Sequence, residues 1–337
     1  MKVDMLKGYR CPETFAELTL VDGTEHEGRI TAGTLGTESG NRYRIENGIP
    51  DFTWPLFLPA SDAEAKRWYD DNADTYDENL PLTFATFRAD EEAVRRDLVR
   101  RLELKPEHRV LEIGAGTGRD SRIIAEQLGP DGLLVAQDLS AKILEHSFAK
   151  LADCAIPVEY YIGNASYLPF PDGYFDAVFH FGGLNTFADI GRFFRECSRV
   201  TKVGGKVVAG DESMPLWLRE TEFGRVLMNS NPLYRYDLPL AHLPVSAREV
   251  KLEWIIGGVF YVIEYRVGEG EPYADLDFEI PGIRGGTHRS RYYGHLEGIT
   301  PEVKELAYRA RKKSGKSMHR WLDEAVRAAA RRELEEE

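Results

Sequence analysis

Residues 110 to 120 read Val110-Leu111-Glu112-Ile113-Gly114-Ala115-Gly116-Thr117-Gly118-Arg119-Asp120. An apolar strand runs into alternating glycines and then into helix, a turn whose backbone can approach a ligand where a side chain would collide. A dinucleotide-binding turn requires Gly or Ala at position 119, where this chain has Arg119, so a nicotinamide cofactor is disfavoured. The next strand ends at Asp138, 20 residues beyond Gly118. A carboxylate there can accept hydrogen bonds from both hydroxyls of a ribose, so the expected ligand contains a ribose.

Outward from this turn, apolar runs alternate with helical stretches: Arg109 to Ile113, Ser121 to Leu128, Leu133 to Gln137, Ala141 to Leu151, Val158 to Ile162, and Phe175 to Phe179. That alternation predicts a doubly wound, mostly parallel α/β sheet of Rossmann-like type. After a helix over Ile190 to Val200, Gly204 and Gly205 turn the chain into a further strand, Lys206 to Ala209. Two later runs, Val250 to Ile256 and Phe260 to Arg266, flank Gly257 and Gly258 and read as an antiparallel hairpin closing the sheet. The core domain is placed at 61–270, with an irregular cap insertion at 212–248 that holds Trp217, Phe223, Tyr234 and Tyr236. From Ser61 to about Leu104 the pattern is helical, with Ser61 and Asp62 as N-cap candidates. Residues 1–58 form a small β-rich module, and 271–337 a linker and a C-terminal helical pair. In that pair Thr300 and Ser317 are the caps, Pro301 takes the first helical position, and Gly315 is the stop.

The chain has 337 residues, enough for about two domains, and its 42% hydrophobic and 29% charged content is that of a globular protein. No run approaches the roughly 18 apolar residues of a membrane span. A net charge of −13 repels a phosphate backbone, which makes nucleic acid an unfavoured partner except through a local basic patch. Cys11, Cys154 and Cys197 are widely spaced and odd in number, which excludes a disulfide framework or a four-cysteine zinc site. The first residues carry no apolar export segment, so the expected location is cytoplasmic.

Taken in order, the glycine motif 110–118, Asp138, Gly163-Asn164-Ala165 followed by Leu168-Pro169-Phe170, Phe175-Asp176-Ala177-Val178, and Arg199-Val200 ahead of Gly204-Gly205 resemble the class I S-adenosylmethionine-dependent methyltransferases. The resemblance covers residues 65 to 270 and is to the broad family of ubiquinone and menaquinone methyltransferases. It implies S-adenosylmethionine as cofactor, with Gly114, Ala115, Gly116 and Gly118 along its methionine part. Asp138 and Leu139 would lie at the ribose, and Asn164 and Ala165 at the adenine edge. Glu112 would anchor the amino end, and Tyr69 and Tyr76 would fold over the site as a lid. Where the family usually has Asp, this chain has Asn164, whose amide can still donate or accept.

His180 closes the fourth strand of the core at its carboxyl end, where such sheets bind ligands, and imidazole suits a general base near neutral pH. It is the catalytic candidate. Asp176 reads as a structural tie, and Glu212 and His242 as solvated residues on the cap side. The sulfonium methyl is already activated, so transfer chiefly requires a close, in-line nucleophile in a dry site. The expected acceptor is a small hydrophobic or aromatic molecule enclosed by the 212–248 aromatics.

Cys11-Pro12-Glu13-Thr14, Gly33 to Gly40 and Tyr43 to Pro50 resemble the zinc-ribbon-like modules found as methyltransferase activators. Thr14, Gly36 and Ser39 stand at the other ligand positions, which implies a degenerate module without metal, docked on the core or shaping its entrance. The C-terminal pair resembles ribbon-helix-helix modules, with Tyr292 to Ile299 as the ribbon and a basic cluster of Arg309, Arg311, Lys312, Lys313, Lys316 and Arg320. Two uses compete: burial of its apolar stripes in a homodimer or on the cap, or nucleic-acid association in which the core modifies RNA or DNA or senses the cofactor.

Overall fold

The computed structural model describes residues 1–283, 285–293 and 299–335, which divide into two compact units, Met1–Glu271 and Pro272–Glu337. The first unit opens with an antiparallel sheet of β1 (Thr19–His26), β2 (Arg29–Gly36), β3 (Arg42–Glu46) and β4 (Ile49–Pro50), paired in chain order. Three helices follow: α1 (Ala60–Asn72), α2 (Tyr76–Thr86) and α3 (Glu91–Arg100). Then strand and helix alternate through β5 (Arg109–Ile113), α4 (Arg119–Gln127), β6 (Leu133–Asp138), α5 (Ala141–Leu151), β7 (Val158–Ile162), β8 (Phe175–Phe181), α6 (Ile190–Val200) and β9 (Thr201–Glu212). After α7 (Glu222–Ser230), β10 (Ala247–Ile255) and β11 (Phe260–Val267) form the expected hairpin.

The seven core strands lie in the order β10-β11-β9-β8-β5-β6-β7. β9, β8, β5, β6 and β7 are parallel, and β11 runs antiparallel to β9. Helices cover both faces, so the strands are apolar on both sides. Leu111, Ile113, Val135, Val178 and Val207 pack with Phe193, Phe194 and Cys197 of α6 on one face. Val110, Leu134, Ala177 and Val208 pack with Leu98 of α3 and Ile124 of α4 on the other.

The N-terminal sheet covers what would otherwise be the free edge of β7. Asp51 bridges in parallel to Ile162, and the Phe52 N–H donates to the Ile162 carbonyl at 2.7 Å. Tyr9, Phe52, Tyr161 and Phe170 meet behind that edge, all four fully buried. Burying each such ring contributes on the order of 1.5–3 kcal/mol, and covering the strand removes a template for edge-to-edge pairing.

Two sequence readings are corrected here. The helical stretch from Ser61 is three helices, and α1 starts at Ala60 behind Pro59 with no side-chain cap, so neither Ser61 nor Asp62 is its N-cap. In the second unit Tyr292 and Tyr293 belong to α8 (His288–Tyr293) rather than to a ribbon, and residues 294–298 of that reading lie outside the described residues. α9 (Pro301–Ser314) and α10 (Met318–Glu335) have the expected Thr300, Gly315 and Ser317 termini. Among the described residues no helix is long and apolar enough to cross a membrane.

Candidate functional site

Parallel pairing sets Ile113 beside Gln137 and Asp138 beside Ile162, so the turns after β5, β6 and β7 open onto one edge of the sheet. A cavity of about 80 Å³ lies there. Its floor comes from Gly114, Gly116, Asp138, Leu139, Asn164, Ala165 and His180, and α1 and α2 contribute Tyr69 and Tyr76 from above. Nine residues that the sequence singled out therefore share one cavity, although they span positions 69 to 180.

Backbone amides bonded to the side chains of Asp138 and Gln137 hold the floor. The Gly116 N–H donates to one Asp138 carboxylate oxygen and the Ser140 N–H to the other, both at 2.9 Å. Gly116 has φ +53°, and the space where its Cβ would stand is open, so the conformation favours glycine and leaves a ligand room. Burial raises the Asp138 carboxyl to about 6, against the lowering effect of the Ser140 and Gly116 amides. Each carboxylate oxygen still has a lone pair for a hydroxyl donor. Gln137, which sequence reasoning passed over, accepts from the Gly114 N–H at 3.2 Å and donates to the Gly163 carbonyl, tying the glycine turn to the end of β7.

His180 is 1% exposed, and its Nδ1 lies 2.8 Å from the Ile113 carbonyl, a contact only a protonated Nδ1 can donate to. Its Nε2 is then a lone-pair acceptor, and it has no protein partner among the described residues. Burial lowers the imidazole pKa, partly offset by the Ile113 hydrogen bond and the negative charge of Asp211. The ring is neutral near pH 7 and sits among Phe187 and Phe193.

The lid is held by side chains. Asp70 of α1 accepts from the Ser140 hydroxyl at 2.5 Å. Asp77 of α2 accepts from Thr117 Oγ1 at 2.6 Å and Arg119 Nε at 2.9 Å and pairs with Lys150. Burial alone would raise the Asp77 carboxyl, but the hydrogen bonds from Lys150, Thr117 and Arg119 outweigh it and hold the group at about 2. Tyr69 and Tyr76 stand 6.0 Å apart, and burial raises both phenols, with Tyr76 at about 12. Asp62, expected as a cap, instead lines the cavity.

Three expected site residues do not line the cavity. Glu112 is buried and accepts from the Ser121 hydroxyl, and burial together with the charge of Asp120 raises its pKa well above the ordinary carboxyl value. Ala115 packs with Ala136 and Leu144. Gly118 is needed for packing, since a Cβ there would stand 2.7 Å from the Ser147 Cβ on α5.

The cap reading also changes. No residue of 212–248 lines the cavity; the wall beyond β8 is Gly182, Gly183, Thr186 and Phe187, beside Phe181 at its end. Trp217, Phe223 and Tyr236 are exposed, and Tyr234 is buried in a separate apolar cluster with Phe84 and Phe260. Glu212, read as solvated, is half-buried beside Asp211, and burial and that neighbour push its pKa well up. His242 is exposed, as read. Asp176 is a structural tie, accepting from the Arg109 N–H at 2.9 Å and pairing with Lys202. In the N-terminal module the Cys11 thiol is buried 3.0 Å from the Tyr43 hydroxyl. Among the described residues no group of three His, Cys, Asp or Glu side chains is arranged to hold a metal ion.

Residues 111–209 match the family described as a methyltransferase domain. A demethylmenaquinone methyltransferase of Symbiobacterium thermophilum is 29% identical over 164 residues, 48% of this chain and 65% of that protein. A ubiquinone/menaquinone biosynthesis C-methyltransferase of Stenotrophomonas maltophilia is 30% identical over 158 residues, 43% of this chain and 62% of that protein. The matches thus span less than two thirds of those relatives' length. Among solved structures, a phosphoethanolamine N-methyltransferase of Haemonchus contortus, in complex with phosphomonomethylethanolamine and S-adenosylhomocysteine, is 15% identical with a TM-score of 0.47, covering 63% of this chain and 61% of that one. Residues 111–209, which carry most of the parallel strands of the core sheet, are thus similar to a methyltransferase domain.

Proposed function

We propose that the chain transfers a methyl group from S-adenosylmethionine to a small hydrophobic or aromatic acceptor. The observation that carries this reading is the convergence of Gly116, Asp138 and Asn164 on one cavity beneath Tyr69 and Tyr76. The site's chemistry fits the group: a buried carboxylate with lone pairs to spare suits ribose hydroxyls, and Gly116 leaves room beside it. The cofactor supplies an activated methyl, so the protein's own task is positioning and the exclusion of water. Asp138 and the glycine turn bind, Tyr69 and Tyr76 cover, and Phe181 and Phe187 give an acceptor an apolar wall. His180 Nε2 is the group available to take a proton from the acceptor as the methyl arrives. Relatives named for demethylmenaquinone favour a quinol-like acceptor.

Nucleic-acid association is the weaker reading, because Arg311 pairs with Glu279, and Lys316 and Arg320 with Glu324, within the C-terminal unit. Val303, Leu306 and Val326 on its helices are exposed and suit pairing with a second copy, which sedimentation would detect. A cytoplasmic location accords with this chemistry. The test of function is calorimetric titration with S-adenosylhomocysteine, followed by transfer of labelled methyl to demethylated quinol analogues. Binding and transfer are expected; failure to bind would overturn the reading.

A further inference from the structure

Asp62 is 6% exposed, and its carboxylate stands at the base of the lid, where α1 meets the end of β7. One oxygen accepts from Asn164 Nδ2 at 2.9 Å and the other from the Ala188 N–H at 2.8 Å. Those bonds use two of about four acceptor positions on the carboxylate. The Asn164 amide is oriented by its neighbours, since its Oδ1 accepts from the Ser166 N–H at 2.9 Å while its nitrogen faces Asp62. The cavity edge at this point therefore presents a fixed pair: a carboxylate with free acceptor capacity, and beside it an amide nitrogen with one unspent hydrogen.

We infer that Asp62 and Asn164 together read the base of the cofactor, selecting an exocyclic amine next to a ring nitrogen acceptor. The inference rests on the proposed function and adds a specificity residue that lies on the lid. Adenine offers an N6 amine as donor beside N1 as acceptor, which complements the pair. Hypoxanthine offers the reverse, a carbonyl oxygen beside an N–H, and its oxygen would face the Asp62 carboxylate. A site built to hydrogen-bond a group rejects an analogue that leaves its buried polar atoms unpaired. Asp62 also joins α1 to the β7 end and to the segment before α6, so base recognition and lid placement share one side chain.

The test is calorimetric binding of S-adenosylhomocysteine and its inosine counterpart, S-inosylhomocysteine, to the full chain and to Asp62→Asn, with folding checked by circular dichroism. The wild type should bind the adenosyl ligand at least about tenfold more tightly, one buried charge-assisted hydrogen bond being worth about that factor. Asp62→Asn, which keeps an acceptor for the Ala188 N–H and can donate to a carbonyl, should bring the two affinities to within about twofold. Equal affinities in the wild type overturn the proposal whether or not the variant folds. A variant that weakens both ligands by the same factor overturns it too, making Asp62 a latch only. No binding of S-adenosylhomocysteine by the wild type is a different result, since it removes the proposed function itself.

Discussion

The floor of the cavity and its lid are built by different means. The floor is backbone: glycine and serine amides aimed at Asp138, in turns whose positions the sheet register fixes. The lid is side chain: Asp62, Asp70 and Asp77 on α1 and α2 reach residues far along the chain, among them Asn164, Ser140 and Lys150. The Asp138 carboxylate is buried, whereas Asp77 and its partners Lys150 and Arg119 are partly exposed, and such ion pairs contribute about 0–1 kcal/mol each and respond to salt. With Tyr69 and Tyr76 in place the cavity is about 80 Å³, below the roughly 300–1,000 Å³ usual for ligand sites.

The largest effects should come from the floor. Gly116→Val places a branched side chain at positive φ in the ligand's space, and affinity for S-adenosylhomocysteine should fall more than about a hundredfold. Near-native affinity by calorimetry would show that the open space at Gly116 is not the binding space. His180→Ala should lower turnover at least about a hundredfold with cofactor affinity nearly unchanged, the usual worth of a general base. Because burial lowers the imidazole pKa, the acid limb of the rate profile should lie below the ordinary value of about 6.5. A variant that keeps most of its turnover leaves transfer to positioning alone.

Asp138→Ala should weaken cofactor binding about tenfold or more. Its carboxyl is raised to about 6, so the acceptor form predominates only above that pH, and affinity should strengthen as pH rises through 6. The sign for stability is opposite. A carboxyl raised in the fold contributes stability below its unfolded value of about 3.8, which is lost as pH rises through 6. Pairing with ribose hydroxyls should restore part of it, as thermal melts with and without ligand would reveal.

The smallest effect should come from the lid. Asp77→Ala removes the partner of Lys150, Thr117 and Arg119 on a third-exposed carboxylate, and should raise KM by roughly twofold to fivefold with little change in kcat. Since Asp77 is held at about 2, its contribution is present above the ordinary carboxyl value of 3.8 and is lost as pH falls toward 2. Equal sensitivity of the floor and lid variants to salt would erase the distinction between the two walls.

How far each wall could be read from sequence follows the same division. Gly116, Asp138 and the alternation of strands with helices stood out because each is a local constraint: a glycine where the backbone needs φ > 0, an acid at a strand's end, an apolar period of the right length. Tyr69 and Tyr76 were placed over the site by resemblance, and both line it. Asp62 was taken for a helix cap, because an acid near a helix start satisfies that local rule as well as any distant one. The aromatics of 212–248 were taken for a pocket wall, because exposure does not show in residue type.

The sequence by itself determined the doubly wound core, the glycine turn with its paired acid, and the capped helices of the C-terminal unit, since short-range sterics and hydrophobic period dictate them. Tertiary structure alone decided which of 56 acids meets which of 43 basic residues. It also decided that the N-terminal sheet seals the β7 edge and that Asp62 lies against Asn164, 102 positions away. Such pairings depend on where helices land on the sheet, and the partners' spacing along the chain carries no record of it.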